Sequence, residues 1–357
     1  MSTVRSLLTA ACLLALAATA SAKPIQAVPA EYTAAIQPQV ALGDDGSIHL
    51  TFGQGGSVYY TRSKDGVSFA QPALVATLEK LALGMRRGPR VTVTKDLILI
   101  TAISHADGNL HAWSSVDGLK WRHQPQLNGT ATSAREGLQA LAGDGRGRVA
   151  AVWLDLRTGK TSLWGKFSQD GGGHWGEDQL IYASPEGPIC QCCAPSVAFA
   201  PDGRIGIMWR NLLQGARDLY VTETTDGKNF TPATKLGQGS WMLNACPMDG
   251  GTLAYDADNR RLPVWKRIRT VFTSEDSSRE QPIAEAAAQP VAAFIGTKPL
   301  LFWESKGALM IRDGSASPRV YAAEGKSAAV SSKSGMAVIA FEGTVKGRKT
   351  ILCEVLR

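Results

Sequence analysis

Four copies of one short pattern, at nearly even spacing, constrain this chain more than any other feature. A hydroxyl residue, a spacer, Asp, Gly and then an aromatic recur at Ser63, Asp65, Gly66 and Phe69, at Ser115, Asp117, Gly118 and Trp121, at Ser168, Asp170, Gly172 and Trp175, and at Thr224, Asp226, Gly227 and Phe230. The aspartates lie 52, 53 and 56 residues apart, a period that belongs to propellers, solenoids and arrays. Each residue has a local job: carboxylate and hydroxyl serve the backbone of a tight hairpin, Gly supplies positive φ, and the aromatic fills the gap to the next sheet. The pattern therefore predicts structure, not catalysis.

Around each copy the same order of alternating or apolar runs returns. The first unit reads as strands over 39–42, 48–52, 58–61 and 73–76, and the fourth as 196–199, 205–209 and 219–222. Beyond Phe230 the signature decays to a degenerate copy at 274–276, yet the rhythm continues through a fifth, sixth and three-stranded seventh unit. The segment from Gln26 to Tyr32 can supply the missing strand and close the ring, leaving no free sheet edge. The expectation is an all-β propeller of seven four-stranded blades, with six the alternative. No helix is expected after the leader, and 278–289 reads as an exposed connection.

The first 22 residues carry Arg5, an apolar run from Leu7 to Ala18 and a small-residue Ala20-Ser21-Ala22 end, the pattern of a secretory leader. That leaves 23–357 as a single propeller domain, exported to a periplasmic or extracellular space, with no later run long enough to span a bilayer. The formal charge of +7 is spread out, with no cationic block and no interleaved aromatics, which excludes nucleic acid and favours a small anionic ligand or acidic glycan.

In such blades the first strand begins and the second ends at one mouth of the ring, while the Asp-Gly hairpins sit at the other. The mouth thereby collects Arg86 and Arg87, Arg135 and Glu136, the run Cys190, Cys192 and Cys193, and Cys246 with Asp249. Second-strand ends add Asp155 and Arg157, Arg210 and Asn211, Lys266 and Arg267, Glu304 and Glu342. Charges crowded at a narrowing mouth must pair with each other or with a ligand.

The boxes and mouth residues resemble the sialidase-like, Asp-box (BNR) propeller superfamily. The cysteine run, the second-strand ends at Arg157 and Asn211, and the stretch from Cys246 to Gly251 also resemble secreted bacterial proteins labelled exo-sialidase-like. The resemblance implies arginines on a substrate carboxylate, an acidic acid/base and a tyrosine nucleophile, hence glycoside hydrolysis as an activity. Arg87, Arg135, Arg157, Arg210 and Arg267, with Asn211 and Asp249, are the candidate substrate contacts, and Glu136 and Asp155 the candidate acid/base residues. The family's arginine-isoleucine-proline start is missing, with 88–90 its nearest echo, and Trp265, Trp303 and Phe341 stand where a tyrosine would.

Five cysteines remain after the leader, an odd number that implies a thiol that is free, metal-bound or paired between chains. In an exported chain the first expectation for Cys190, Cys192, Cys193 and Cys246 is disulfide bonding, with Cys246 tied to the earlier loop. The rival is a soft-metal site for copper or zinc, with Met208, Met242 and Met248 near enough in sequence to contribute thioethers. Cys353 reads as a core thiol, and the five histidines show no metal spacing. Three functions follow: an acidic-glycan binder or hydrolase, a thiolate metal-binding propeller, and a noncatalytic interaction module.

Overall fold

A computed structural model describes residues 23–274 and 279–357; residues 1–22, where the sequence reads as a leader, and Glu275 to Ser278, which include most of the degenerate fifth signature, lie outside the described residues. The chain forms seven antiparallel sheets of four strands each, and no helix occurs among the described residues. Blade one is Ile36–Leu42, Ile48–Gln54, Ser57–Ser63 and Ala73–Thr77, and blades two to six follow in chain order from Arg90, Gln139, Ser196, Thr252 and Ala288. Blade seven consists of Lys326–Lys333, Met336–Val345 and Arg348–Leu356, completed by Ile25–Gln26. Ile25 pairs with Cys353 and Gln26 with Leu352, so the start of the chain closes the ring as expected, in two residues and not seven.

Second strands are sandwiched between neighbouring blades, and Val149–Asp155 is buried at every position. Seven apolar clusters fill the seven seams, each drawing on two adjacent blades. Leu50, Phe52, Val338 and Ile351 meet across the closing seam, and Val152, Ile207 and Trp209 between blades three and four. The Asp-Gly hairpins behave as their composition dictates. Asp65 Oδ1 accepts from the Val67 and Ser68 amides at 2.8 and 2.9 Å, and the Ser63 hydroxyl accepts from Gly66 N at 2.9 Å. Trp121 lies edge-on to Tyr60 of the preceding blade, 5.2 Å between centroids.

The expected connection at 278–289 contains a strand, Glu280–Ala284, the outermost of blade five. Outer strands carry little buried surface, so its Glu- and Ala-rich sequence lacks the alternation of an inner strand. Cys353 is buried in the closing seam, and burial pushes its thiol up to about 12.

Candidate functional site

The first strands line a narrow axial cavity of about 310 Å³, and the seams around its upper mouth are stapled by carboxylates. Gln37, Gln289 and Ser327 have φ of 56°, 52° and 53° and sit in bulges where a first strand begins. Their outward amides donate to Glu342 at 2.9 Å, Asp249 at 2.7 Å and Glu304 at 2.8 Å. A bulge exposes an unpaired N–H, and a carboxylate from the neighbouring blade satisfies it. Glu304 and Glu342 are thus structural.

Several expected ligand contacts prove to be internal braces. Asp155 is fully buried and accepts from Trp153 Nε1, Ser133 Oγ, and the Arg157 amide and guanidinium, all at 2.7–2.9 Å. Burial alone would raise its carboxyl, but these donors outweigh it and hold it below the ordinary value, so Asp155 is an anchor and not a proton donor. Arg157 is further claimed by Asp178 and stacks on Trp164, 3.9 Å from the ring centroid. Arg267 forms a fork with both Glu280 oxygens and lies over Phe272. Asn211 donates to Tyr182 at 2.9 Å, and Arg135 stands exposed on the rim with Nε on Thr132 O.

What the mouth does bring together is sulfur. Cys190, Cys192 and Cys193 are all buried, and their Sγ atoms lie within 4.8 Å of one another, with Cys190 at 3.6 Å from Cys192 and 3.7 Å from Cys193. The five cysteines among the described residues are all free, since a disulfide needs about 2.05 Å between sulfurs. The expected bridge to Cys246 is accordingly not formed; Cys246 is exposed and its Sγ lies outside the converging group of three. Of the three methionines only Met248 packs on the thiol cluster; Met208 is buried in the seam between blades four and five, and Met242 is 66% exposed.

Two guanidiniums support this cluster. Arg217, in the loop after the second strand of blade four, donates Nη1 to Cys190 Sγ at 3.2 Å and Nε to Leu243 O at 3.0 Å. Arg210 is buried and spends its donors on backbone carbonyls of Asp249, Arg217 and Lys266 at 2.6–3.1 Å, which leaves its charge without a direct carboxylate partner among the described residues. Hydrogen bonding with Cys192 and Cys193, together with Arg210, holds the Cys190 thiol far below its ordinary value. Those two thiols are pushed up in turn, Cys192 by its hydrogen bonds to the neighbouring sulfurs and Cys193 first by burial. Of the three sulfurs, Cys190 is therefore the one whose anion the cluster favours.

The surrounding backbone is shaped to this arrangement. Asp249 N points at Cys193 Sγ, 3.4 Å away, because Gly250 lets the two loops touch: a Cβ there would collide with the Ala194 carbonyl. Gln289 Nε2 grips Met248 O at 2.6 Å and its own side-chain oxygen accepts from Arg86 at 2.7 Å, which fixes the loop bearing Met248. Asp249 Oδ1 is buried and accepts no hydrogen bond among the described residues. On the other flank Gln191 donates to Thr161, which reaches Glu136 at 3.5 Å, and Arg87 Nε donates to Glu136 O at 2.8 Å. Burial raises the Glu136 carboxyl, partly offset by Arg87.

No protein-family model and no curated protein matches the sequence. Solved structures do match in shape. An α-L-arabinofuranosidase, Arb93A from Fusarium graminearum, aligns at TM-score 0.55 and 12% identity over 94% of this chain and 98% of that one. Virginiamycin B lyase from Staphylococcus aureus aligns at 0.55 and 10% identity, over 94% and 99%. A NanB structure aligns at 0.50 and 10% identity, over 94% and 70%. The shared feature is the β-propeller. Propellers of this size host glycoside hydrolases, a lyase and other functions alike, so the chemistry must be read from the side chains.

The structure brings Cys190, Cys192, Cys193, Arg210 and Asp249 into one neighbourhood, and with them Arg217, which sequence reasoning missed. Its only signal was membership of the loop that follows Asn211, at the same mouth.

Proposed function

We propose that this chain is a soft-metal-binding propeller whose Cys190, Cys192 and Cys193 hold one Cu(I) as a trithiolate, with the Met248 thioether alongside. The convergence of three buried thiols carries the reading. Two sulfurs bound to one ion at about 2.3 Å stand roughly 3.8–4.0 Å apart, close to the spacings at Cys190. Thiolate and thioether together select a soft ion. Charge supports an anionic donor set here: the guanidiniums of Arg210 and Arg217 offset two of the three thiolate charges. Metal uptake releases the protons of Cys192 and Cys193, and it gives an exported chain a reason to keep reduced thiols.

The test is an anaerobic titration with Cu(I) against a colorimetric Cu(I) chelator, with Zn(II) in parallel. One Cu(I) retained per chain, lost in Cys193→Ser and undisturbed by excess Zn(II), is the expected result. Failure of the chelator to lose any copper would reject it.

A second reading has one observation in its favour. Arg87 and Arg135 each commit only Nε to a backbone carbonyl, and they flank Glu136, whose raised carboxyl suits a proton donor. An acidic glycan gripped there would make the chain a glycan-binding or glycan-cleaving propeller, in line with the glycosidases among its structural neighbours. Binding on a panel of acidic glycans, weakened by Arg87→Ala, is its measure; an empty panel removes it.

A further inference from the structure

Soft donors around the thiol cluster are graded by exposure along a single loop. Met242 is 66% exposed, Cys246 is exposed, Met248 is partly buried against the cluster, and Cys190, Cys192 and Cys193 are buried. These outer three donors fall within seven residues of one another, on the segment that leads from blade four into blade five. The loop is anchored at its outer end: Arg217 N donates to Trp241 O at 2.9 Å and Trp241 N to Asp218 at 2.8 Å. Arg217 then spans from Leu243 O to Cys190 Sγ, so the base of the loop and the innermost sulfur share one side chain. Met242 and Leu243 also line an open surface hollow of about 600 Å³ together with Arg217, the side chain that reaches Cys190.

A hydrophobic wall would isolate a purely structural metal. Here two exposed sulfur side chains, Met242 and Cys246, share a loop with Met248, which packs on the cluster. Cys246 lies on the loop between Leu243, which Arg217 ties to Cys190, and Met248, which packs on the cluster, and its Sγ lies outside the group of three that mutually converge. It is placed to hold an incoming ion but not to complete the final site.

We propose that the loop from Met242 to Met248 is the port by which Cu(I) enters, and that Cys246 is the transient ligand that passes it to Cys192. This rests on the trithiolate reading. The balance is simple ligand exchange: a carrier thiolate leaves copper as Cys246 sulfur binds, losing its proton to water. Cys192 then displaces Cys246, which takes a proton back. No oxidant or reductant is consumed.

The experiment follows Cu(I) loading in stopped flow, with copper supplied as a complex with a small monothiol, in the wild type, Cys246→Ala, Met242→Ala and, as a control, Cys353→Ala. Cys246→Ala should retain one Cu(I) at equilibrium with affinity near that of the wild type, while loading slows about tenfold or more, because access of a thiolate sets the exchange rate. Met242→Ala should slow it less, and Cys353→Ala not at all. Loading of Cys246→Ala at the wild-type rate would overturn the port. So would loss of bound copper in Cys246→Ala, which would make Cys246 a permanent ligand. If the wild type itself holds no Cu(I), the trithiolate reading fails and the port with it, an outcome separate from a wild type that binds and a variant that loads unchanged.

Discussion

Cys190 is the residue on which the electrostatics of the mouth converge. Two thiols and Arg210 favour its anion, and Arg217 donates to it directly. The reduced, metal-free protein should therefore show ultraviolet thiolate absorbance equivalent to one sulfur at neutral pH, and Arg217→Met should shift its appearance to more alkaline pH. Absence of thiolate at neutral pH would contradict the assignment. Asp155 makes the opposite case. Its carboxylate serves Trp153, Ser133 and Arg157, so Asp155→Ala should cost on the order of 3 kcal/mol in denaturant unfolding through buried donors left unpaired, and leave Cu(I) stoichiometry unchanged. The difference between these residues was only half legible in the sequence. Cysteine spacing announces a cluster by itself. The partners that decide an acidic residue's role do not: Asp178 claims Arg157 from the far side of the blade, and Glu280 claims Arg267 from an outer strand that the sequence hardly marks.

The hairpins show why the elements were easier to read than the site. Each Asp-Gly turn is closed by contacts within a few residues, so the pattern and its physical cause lie side by side in the chain. Inner strands were legible for the same reason, as short apolar runs buried along their whole length. Outer strands as short as Arg122–His123 and Thr234–Lys235 carry too little buried surface to leave a pattern. The hairpin carboxylates also fix a pH dependence. Backbone amides hold Asp65 and Asp226 below the ordinary aspartate value. Burial would raise Asp170, but donation from His174 and Ser168 brings it down to about 2. These carboxyls are more acidic folded than unfolded. Their contribution is thus complete above the unfolded value near 4 and is lost as pH falls through the folded ones. Stability measured by urea midpoint should fall steadily from about pH 4 to pH 2, and Asp170→Asn should flatten that slope; a midpoint independent of pH in this window would speak against the hairpin hydrogen bonds.

As a ring, the molecule depends on Ile25–Gln26 and the two residues that follow. Ala27 and Val28 are almost completely buried in the closing seam, and Ala27 N donates to Ile351 O at 2.9 Å. A chain beginning after Val28 should lose about 3 kcal/mol from burial and edge pairing and gain a free strand edge that promotes association. Light scattering and thermal unfolding measure both, and an unchanged melting temperature in a monomeric truncated protein would mean the ring is not held there. The seam between blades four and five sets the loop that carries Met248 and Cys246 beside the loop of Cys190.

Copper-edge X-ray absorption on the anaerobically loaded protein probes that juxtaposition most directly. Three sulfur neighbours at about 2.3 Å per copper, reduced in number by Cys193→Ser and unaltered by Cys353→Ala, is the expected spectrum. A first shell of nitrogen or oxygen, or copper whose surroundings ignore Cys193, would contradict a trithiolate at the mouth of the propeller.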